Sequence, residues 1–453
     1  MISFCTFSKS VRLASLAALL LASMCLRASP LPVLTSVRQI RTLTREQANR
    51  GYPVHIRGVV TFFYVGPPPN STKPDGLSAN MFIQDSSGGN WVATTGRELP
   101  LKTGDLIDLL GVTAQTDFAP DILHAQWRVL GRAPLPSPVR AEFGPLASTR
   151  EDSRWVEIEG IVRSARIIGE NLQLDIAMDG GQVTAYIPNF QAAVPASLID
   201  ARVRMRGVCG AIFSAKNQVR GVNLFVPALS QLQILESGTP DPFAIPAQSV
   251  GSILRFTVAG AAGHRVKVQG VVTLQRRGRF VFIQGDDGNI RADSDQSIAL
   301  SPGQRIEAVG FPVIGEYGPT LHLARLRPIG QANAPAAQRT SEPQLLTEDT
   351  DGQLIQIDAQ LLDRTSTPQE QLLITKIGSA LVQAELEDSS ARAQISKLEP
   401  GSRLRLTGVL SIKGDARSNP GALRLLLRSP LDIRVLSRPS WWTVRTDYGY
   451  SAQ

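Results

Sequence analysis

The sequence predicts an all-β chain: a tandem array of four small five-stranded barrels joined by Pro-rich linkers and short helices. Three observations predict it. A short alternating apolar strand that ends at a small residue occurs four times; a turn residue followed by a second strand at fixed spacing accompanies each copy; and proline-rich stretches separate the copies. Repetition on this scale outranks local propensity, because each copy must be one supersecondary unit.

The first strand reads Val54, Ile56, Gly58, Val59, Val60. It returns as Val156, Ile158, Gly160, Ile161, Val162, then as Val266, Val268, Gly270, Val271, Val272, and as Ile355, Ile357, Ala359, Leu361. Period-two alternation of β-branched residues marks a half-buried strand, and a glycine within it marks the bend or bulge that small barrels need to close. Ala359 departs from the glycine pattern.

The second pattern is Leu101, Gly104, Ile107, Leu109, Gly111. It matches Leu300, Gly303, Ile306, Ala308, Gly310 and Leu398, Gly401, Leu404, Leu406, Gly408. The second copy follows with Val203, Met205 and Gly207 but places Asp200 at the turn. Aspartate is one of the few residues that tolerate left-handed backbone, so the turn is expected to survive.

Between the two patterns lies a hairpin. Phe82-Ile83-Gln84-Asp85 with Gly88, Gly89 and Asn90 parallels Phe282-Ile283-Gln284-Gly285 with Asp286, Asp287, Gly288 and Asn289. Each copy is read as ending in a further strand, at Trp127 to Leu130, Leu232 to Leu235, Leu321 to Ile329 and Ile433 to Leu436. About five strands per copy fit a Greek-key barrel of the oligomer-binding (OB) type better than an immunoglobulin sandwich, which uses about seven per 100 residues. The resulting domains are 33–132, 139–237, 246–330 and 344–437. Short helices are expected before three of the barrels, as at Thr35 to Arg50 and Gln248 to Ala262, and the proline joints predict a semi-rigid string of beads.

Composition bounds the function. With 43% apolar and 19% charged residues among 453, the chain is a folded, water-exposed protein and neither a polytopic membrane protein nor a disordered one. Residues 1–28 read as a secretory signal: Lys9 and Arg12 precede an apolar stretch from Leu13 to Leu26, and Ala28 offers a cleavage site. Export is therefore expected, to the periplasm or beyond. It would leave Cys209 as the one thiol of the mature chain, a buried structural one, since Met24 before Cys25 argues against lipidation. Net charge is +8, but Lys9, Arg12 and Arg27 belong to the signal. The rest is too mild and too poor in aromatics for a stacking groove, so a nucleic-acid partner is not expected.

No catalytic constellation stands out, and no metal or cofactor is expected. The four histidines, His55, His124, His264 and His322, lie at no metal-ligand spacing. His124 and His322 each follow a leucine near the last strand and are read as equivalent framework positions. Asp85, Asp286 and Asp287 are read as turn residues, because the alternating oxygen ligands of a calcium loop are missing. Candidate ligand-binding residues are Phe62, Tyr64 and Trp91 beside the irregular segment Gly66 to Asn80, and the basic hairpin tip Arg276, Arg277 and Arg279. Core plugs and a solvated tip are the plainer readings of the two groups.

The segment Arg428-Ser429-Pro430-Leu431-Asp432-Ile433-Arg434-Val435-Leu436, with Arg438-Pro439-Ser440-Trp441-Trp442-Thr443, resembles a junction in a group of bacterial membrane-bound sensor histidine kinases and diguanylate cyclases. Those receptors carry an exported array of such barrels, and a Pro-Ser-Trp-Trp segment just before their transmembrane helix. Arg50-Gly51-Tyr52-Pro53-Val54, Arg57-Gly58-Val59-Val60-Thr61 and Phe82-Ile83-Gln84-Asp85 are similar to their first barrel. The resemblance implies a non-catalytic sensory input region, with Trp441 and Trp442 in a membrane-proximal tail, 438–453, that could touch a membrane surface. The tail departs from the pattern after Trp442, where no apolar run follows. Two expectations result: a truncated receptor, or a free periplasmic module that works with a separate membrane partner. An adhesion or scaffold module docking on envelope protein or polysaccharide, and a secreted hydrolase or nuclease using the acidic turns, are the rival classes.

Overall fold

The computed structural model describes residues 30–66, 78–94, 101–116, 119–213, 219–257, 263–315, 318–345, 350–367, 369–412 and 423–439. The chain is mostly β and contains four closed five-stranded barrels of OB-like topology. It divides into two units. The first holds the N-terminal part to Pro138 with Asp152–Trp155 and Phe213–Gln218; the second holds the remainder.

In the first unit, β1 (Pro53–Gly66), β2 (Ser78–Gln84), β3 (Gly89–Thr94), β4 (Asp105–Gln115) and β5 (Pro120–Arg132) close in the order β1-β2-β3-β5-β4. Neighbours are antiparallel except β3 and β5, which run parallel at Val92 and Ile122. The core is built from inward positions such as Ile56, Val60, Met81, Ile83, Ile107 and Leu109. Helices Val37–Arg41 and Arg45–Ala48 precede the barrel, and Val37 and Ile40 plug its core. Within this unit Gln84 also accepts the Trp155 amide at 2.9 Å.

The second unit repeats the plan three times. Its first copy, of which the strand ends Trp155 and Phe213 fall in the first unit, comprises β6 (Val139–Arg140), β7 (Trp155–Ile168), β8 (Asn171–Met178), β9 (Gly181–Ile187), β10 (Arg202–Phe213), β11 (Val219–Phe225) and β12 (Leu232–Glu236). The next comprises β13 (Val266–Arg276), β14 (Phe280–Gln284), β15 (Asn289–Asp293), β16 (Gln304–Gly315) and β17 (Gly318–Gln331). The last comprises β18 (Gln338–Arg339), β19 (Leu354–Ser366), β20 (Gln371–Ile377), β21 (Ala380–Leu386), β22 (Arg403–Ile412), β23 (Leu423–Leu426) and β24 (Ile433–Ser437).

The copies alternate. In the first and third barrels one long fifth strand, β5 or β17, runs the length of strand four. In the second and fourth the fifth strand is broken by a 3-10 turn, Leu229–Gln231 or Pro430–Asp432, into β11 plus β12 and β23 plus β24. The sequence reading therefore placed the last strand of these two copies on the trailing piece. The strand that closes each barrel by pairing parallel with strand three is the earlier one, β11 or β23. Pro227 and Pro430 lie at the breaks, where a missing N–H and a fixed φ favour a turn over a continued ladder.

The bulge on strand one falls at the same offset in every copy, at Thr61, Arg163, Thr273 and Leu362, which confirms Ala359 as the counterpart of Gly58. Asp200 takes φ 71°, alongside Gly104, Gly303 and Gly401 at 91°, 93° and 89°. The amides of these four residues donate to Val60, Val162, Val272 and Leu361 carbonyls at 2.7–2.9 Å. One histidine expectation needs correcting. The left-handed residues in the two long fifth strands are His124 and Leu323, both at φ 52°, so His124 corresponds to Leu323, and His322 to Leu123.

Each barrel, not three of the four, has a short helix before strand one, and each helix meets the hairpin between strands two and three by its own chemistry. Asp85 accepts the Val37 amide at 2.8 Å and the turn amides of Ser87 and Gly88. Asp287 accepts the Gly251 amide at 3.1 Å from helix Val250–Thr257. Glu342 of helix Glu342–Leu345 accepts the Ser379 amide at 2.7 Å, and in the second barrel Phe143 of helix Phe143–Ala147 lies on Gly181. The acidic turn residues thus satisfy helix N-terminal amides as well as their own turns.

Inside the second unit the barrels are not independent beads. Leu274, Phe280 and Phe282 of the third barrel and Leu354, Val409 and Leu426 of the fourth form one buried apolar cluster. Beside it Asp351 accepts the Ile412 amide at 2.8 Å, and burial pushes its carboxyl from 3.8 up to about 6, with Arg291 opposing. An acid raised in the fold stabilises its protonated form. Stability therefore falls as pH rises from about 4 through 6, by at most about 3 kcal/mol for a shift of this size. Asp351→Asn is expected to raise the melting temperature at pH 7.5 and leave it unchanged at pH 3.5, read by circular dichroism; equal effects at both pH values would contradict the assignment.

The glycine bend gives a second prediction. A Cβ on Gly160 would stand 2.6 Å from Ile176 Cγ2 and nearer still to the Ala177 carbonyl oxygen, whereas on Gly58 the nearest atom is 3.2 Å away. Gly160→Ala is expected to cost about 1–3 kcal/mol in urea unfolding, and Gly58→Ala clearly less.

Candidate binding cleft on the second barrel

The second barrel carries on its outer face a cleft of about 600 Å³. The bend of β7 and the end of β8 line it at Gly160, Ile161, Ala177 and Met178, together with the lead-in Arg140, Ala141, Glu142 and Phe143, the hairpin residue Asp179, and Glu159, Arg202 and His264. At Gly160 the strands approach so closely that a side chain there would meet the Ala177 carbonyl and Ile176.

The charges around the cleft form a ladder. Glu157 and Glu159 alternate on β7, and Arg202, Arg204 and Arg206 alternate on β10. Glu159 binds Arg204 at 2.6 Å, Arg140 at 2.9 Å and Arg202 at 3.6 Å; Glu157 binds Arg206 at 2.8 Å. The Arg204 hydrogen bond, aided by Arg140 and Arg202, holds the Glu159 carboxyl below the usual glutamate range. His264 directs Nδ1 to the Asp200 carboxylate at 3.1 Å. The walls are therefore polar and mutually tied, and Phe143, Ile161 and Met178 give the interior an apolar component, the mixture common in small-molecule sites.

The same cluster appears in the other barrels, with its sense alternating. In the fourth, Asp358 on strand one binds Arg405 at 2.7 Å and Arg339 at 2.9 Å. In the first and third the acid sits on strand four: Asp108 faces His55 and Arg128, and Glu307 faces Lys267 and Arg327. Of these residues only His55 figures among those weighed from the sequence. The signal was present in Glu157-Ile158-Glu159 and in Arg202-Val203-Arg204-Met205-Arg206, where the outward positions of two strands carry opposite charge.

The residues singled out from the sequence are not brought together. Phe62 is buried on β1, its ring edge-on to Phe82 with centroids 6.4 Å apart, while Tyr64 and Trp91 are half-buried, Trp91 opposite Phe82. Gly66 to Asn80 falls largely outside the described residues. Arg276 is buried, donating to the Leu427 carbonyl at 3.0 Å with Glu387 3.3 Å away, and Arg279 pairs with Glu387 at 2.8 Å. Two of the three tip arginines thus clasp the fourth barrel, and Arg277 alone of them points to solvent without such a contact. Trp441 and Trp442 lie outside the described residues. Cys209 is fully buried, and among the described residues no group of three or more His, Cys, Asp or Glu is placed to hold a metal ion. No described helix is long and apolar enough to cross a membrane.

No protein-family model and no curated protein matches the chain. Solved structures do. An OBody, AM3L09, bound to hen egg-white lysozyme is similar at 18% identity, covering 22% of this chain and 98% of its own, with a TM-score of 0.17. The Ifi202 HINa domain in complex with 20-bp dsDNA is similar at 8% identity over 41% of this chain and 96% of its own, TM-score 0.23. Asparaginyl-tRNA synthetase from Pyrococcus horikoshii matches at 14% identity over 26% of this chain and 28% of its own, TM-score 0.19. At these identities and scores the likeness does not reach function.

Glu159 links three arginines, so its role is testable by pH. Its lowered carboxyl contributes stability that is present above the ordinary glutamate value and lost as pH falls through the folded one. Glu159→Gln is expected to lower the melting temperature by about 2–4 °C at pH 7, and the difference from wild type is expected to shrink as pH falls below the ordinary glutamate range.

Proposed function

We propose that the chain is a non-catalytic, exported ligand-binding array that serves as the input region of a bacterial signalling receptor. The observation that carries this reading is the cleft on the second barrel, because its wall includes His264 from the lead-in to the third. A small molecule seated there would touch both copies, and a ligand that favours one of their arrangements shifts the population toward it. The paired charges of the walls suit a polar molecule with an apolar part. The resemblance of residues 428–443 to receptor junctions and the signal-like N-terminus support an extracytoplasmic sensor role.

The test is a thermal-shift screen of polar metabolites with the purified chain, followed by calorimetry of any compound that stabilises it. Such a compound is expected to bind Arg202→Ala about tenfold or more weakly and Arg277→Ala with unchanged affinity. Equal affinity for Arg202→Ala would remove the cleft from the reading, and kinase, cyclase or hydrolase turnover by the purified chain would overturn its non-catalytic character.

A further inference from the structure

A second feature of this unit is built from arginines that do not line the cleft. Arg163 occupies the bulge of β7, where the first and third barrels have a threonine whose hydroxyl bonds the carbonyl of Phe82 or Phe282. Arg163 instead reaches the third barrel, with its Cζ 5.0 Å from the centroid of Phe311, a side chain with no exposed surface. Arg265, just before β13, approaches the same ring at 5.1 Å. Only 8% of Arg163 is exposed. The Nε of each arginine is buried without a hydrogen-bond acceptor, and neither guanidinium has an ion-pair partner within 4 Å among the described residues.

The surrounding charges do not balance these cations. Asp200 is the carboxylate that attracts both, but its Oδ1 already accepts the Arg265 amide at 3.0 Å and faces His264 Nδ1 at 3.1 Å. Arg325 adds repulsion at Arg265. Burial pushes both guanidinium groups below their ordinary value, with Asp200 opposing. The ring face attracts cations, yet it accepts no conventional hydrogen bond from a guanidinium edge. Buried charges are normally paired, and the donors left over here are of the kind that bind oxyanions through charge-assisted hydrogen bonds.

We propose that the junction of the second and third barrels is an oxyanion site, in which a phosphate- or sulfate-like group accepts hydrogen bonds from Arg163 and Arg265 beside Phe311. The group would neutralise the excess positive charge and join two barrels that Asp200 also links through His264 and Arg265. It is distinct from the cleft, whose arginines are already engaged by Glu159.

Isothermal titration of the full chain with inorganic phosphate, in buffers matched for ionic strength with chloride, tests this. Saturable binding is expected. Arg163→Met and Arg265→Met should each weaken it about tenfold or more, while Arg202→Ala and Arg277→Ala leave it unchanged. A parallel titration with O-phosphoserine separates the sources: tighter binding of inorganic phosphate assigns a free ion, and tighter binding of the monoester assigns a group borne by a larger ligand. Absence of saturable binding to both probes, or unchanged affinity in both methionine variants, overturns the site. Should a methionine variant not fold, the wild-type chain still decides: phosphate is expected to raise its melting temperature above that in matched chloride, and equal melting temperatures count against the proposal.

Discussion

Everything in the four barrels depends on one hydrogen bond made by a residue in left-handed conformation. Just before strand four the backbone turns at Gly104, Asp200, Gly303 or Gly401, and the amide of that residue reaches back to a strand-one carbonyl next to the bulge. That bond fixes where strand four starts against strand one, and this pairing closes the sheet. Strand register has a period of two, so a shift of one residue would turn the apolar face of strand four outward. Positive φ is costly for most L-residues, which confines the position to glycine and a few small polar side chains. In the second barrel the use of aspartate has an added effect, because its carboxylate also engages the lead-in of the third.

Much of this was legible in the sequence. Alternating β-branched residues and fixed glycine offsets gave four copies, the strand order that follows from them and the left-handed turn at Asp200. The broken fifth strand was not legible, because β11 follows the polar run Ser214 to Gln218 and carries Arg220 and Gly221, and β23 is only four residues long, while β12 and β24 each present a compact apolar run. The offset between His124 and His322 was missed for a related reason: a bulge adds one residue, and alignment by residue type ignores it.

The candidate cleft was less readable. The aromatics and cations that stand out in the sequence serve packing instead, Phe62 on Phe82 and Arg276 and Arg279 clasping Glu387. The cleft is a matter of shape, lined by the bend of β7 and by a lead-in segment whose position no local pattern specifies. The charge ladder could have been found, since Glu157, Glu159, Arg204 and Arg206 fall on outward positions of strands already recognised. The unpaired arginines at Phe311 could not, because nothing in the sequence brings residues 163, 265 and 311 together.

The alternation between odd and even barrels points to how such a chain is built. First and third share a long fifth strand, a left-handed residue within it, a threonine bulge and an acid on strand four; second and fourth share a broken fifth strand and an acid on strand one. Four successive copyings of a single barrel would give no reason for this rhythm. Duplication of a pair would, and on that account the repeating unit of the chain is the doublet rather than the single barrel.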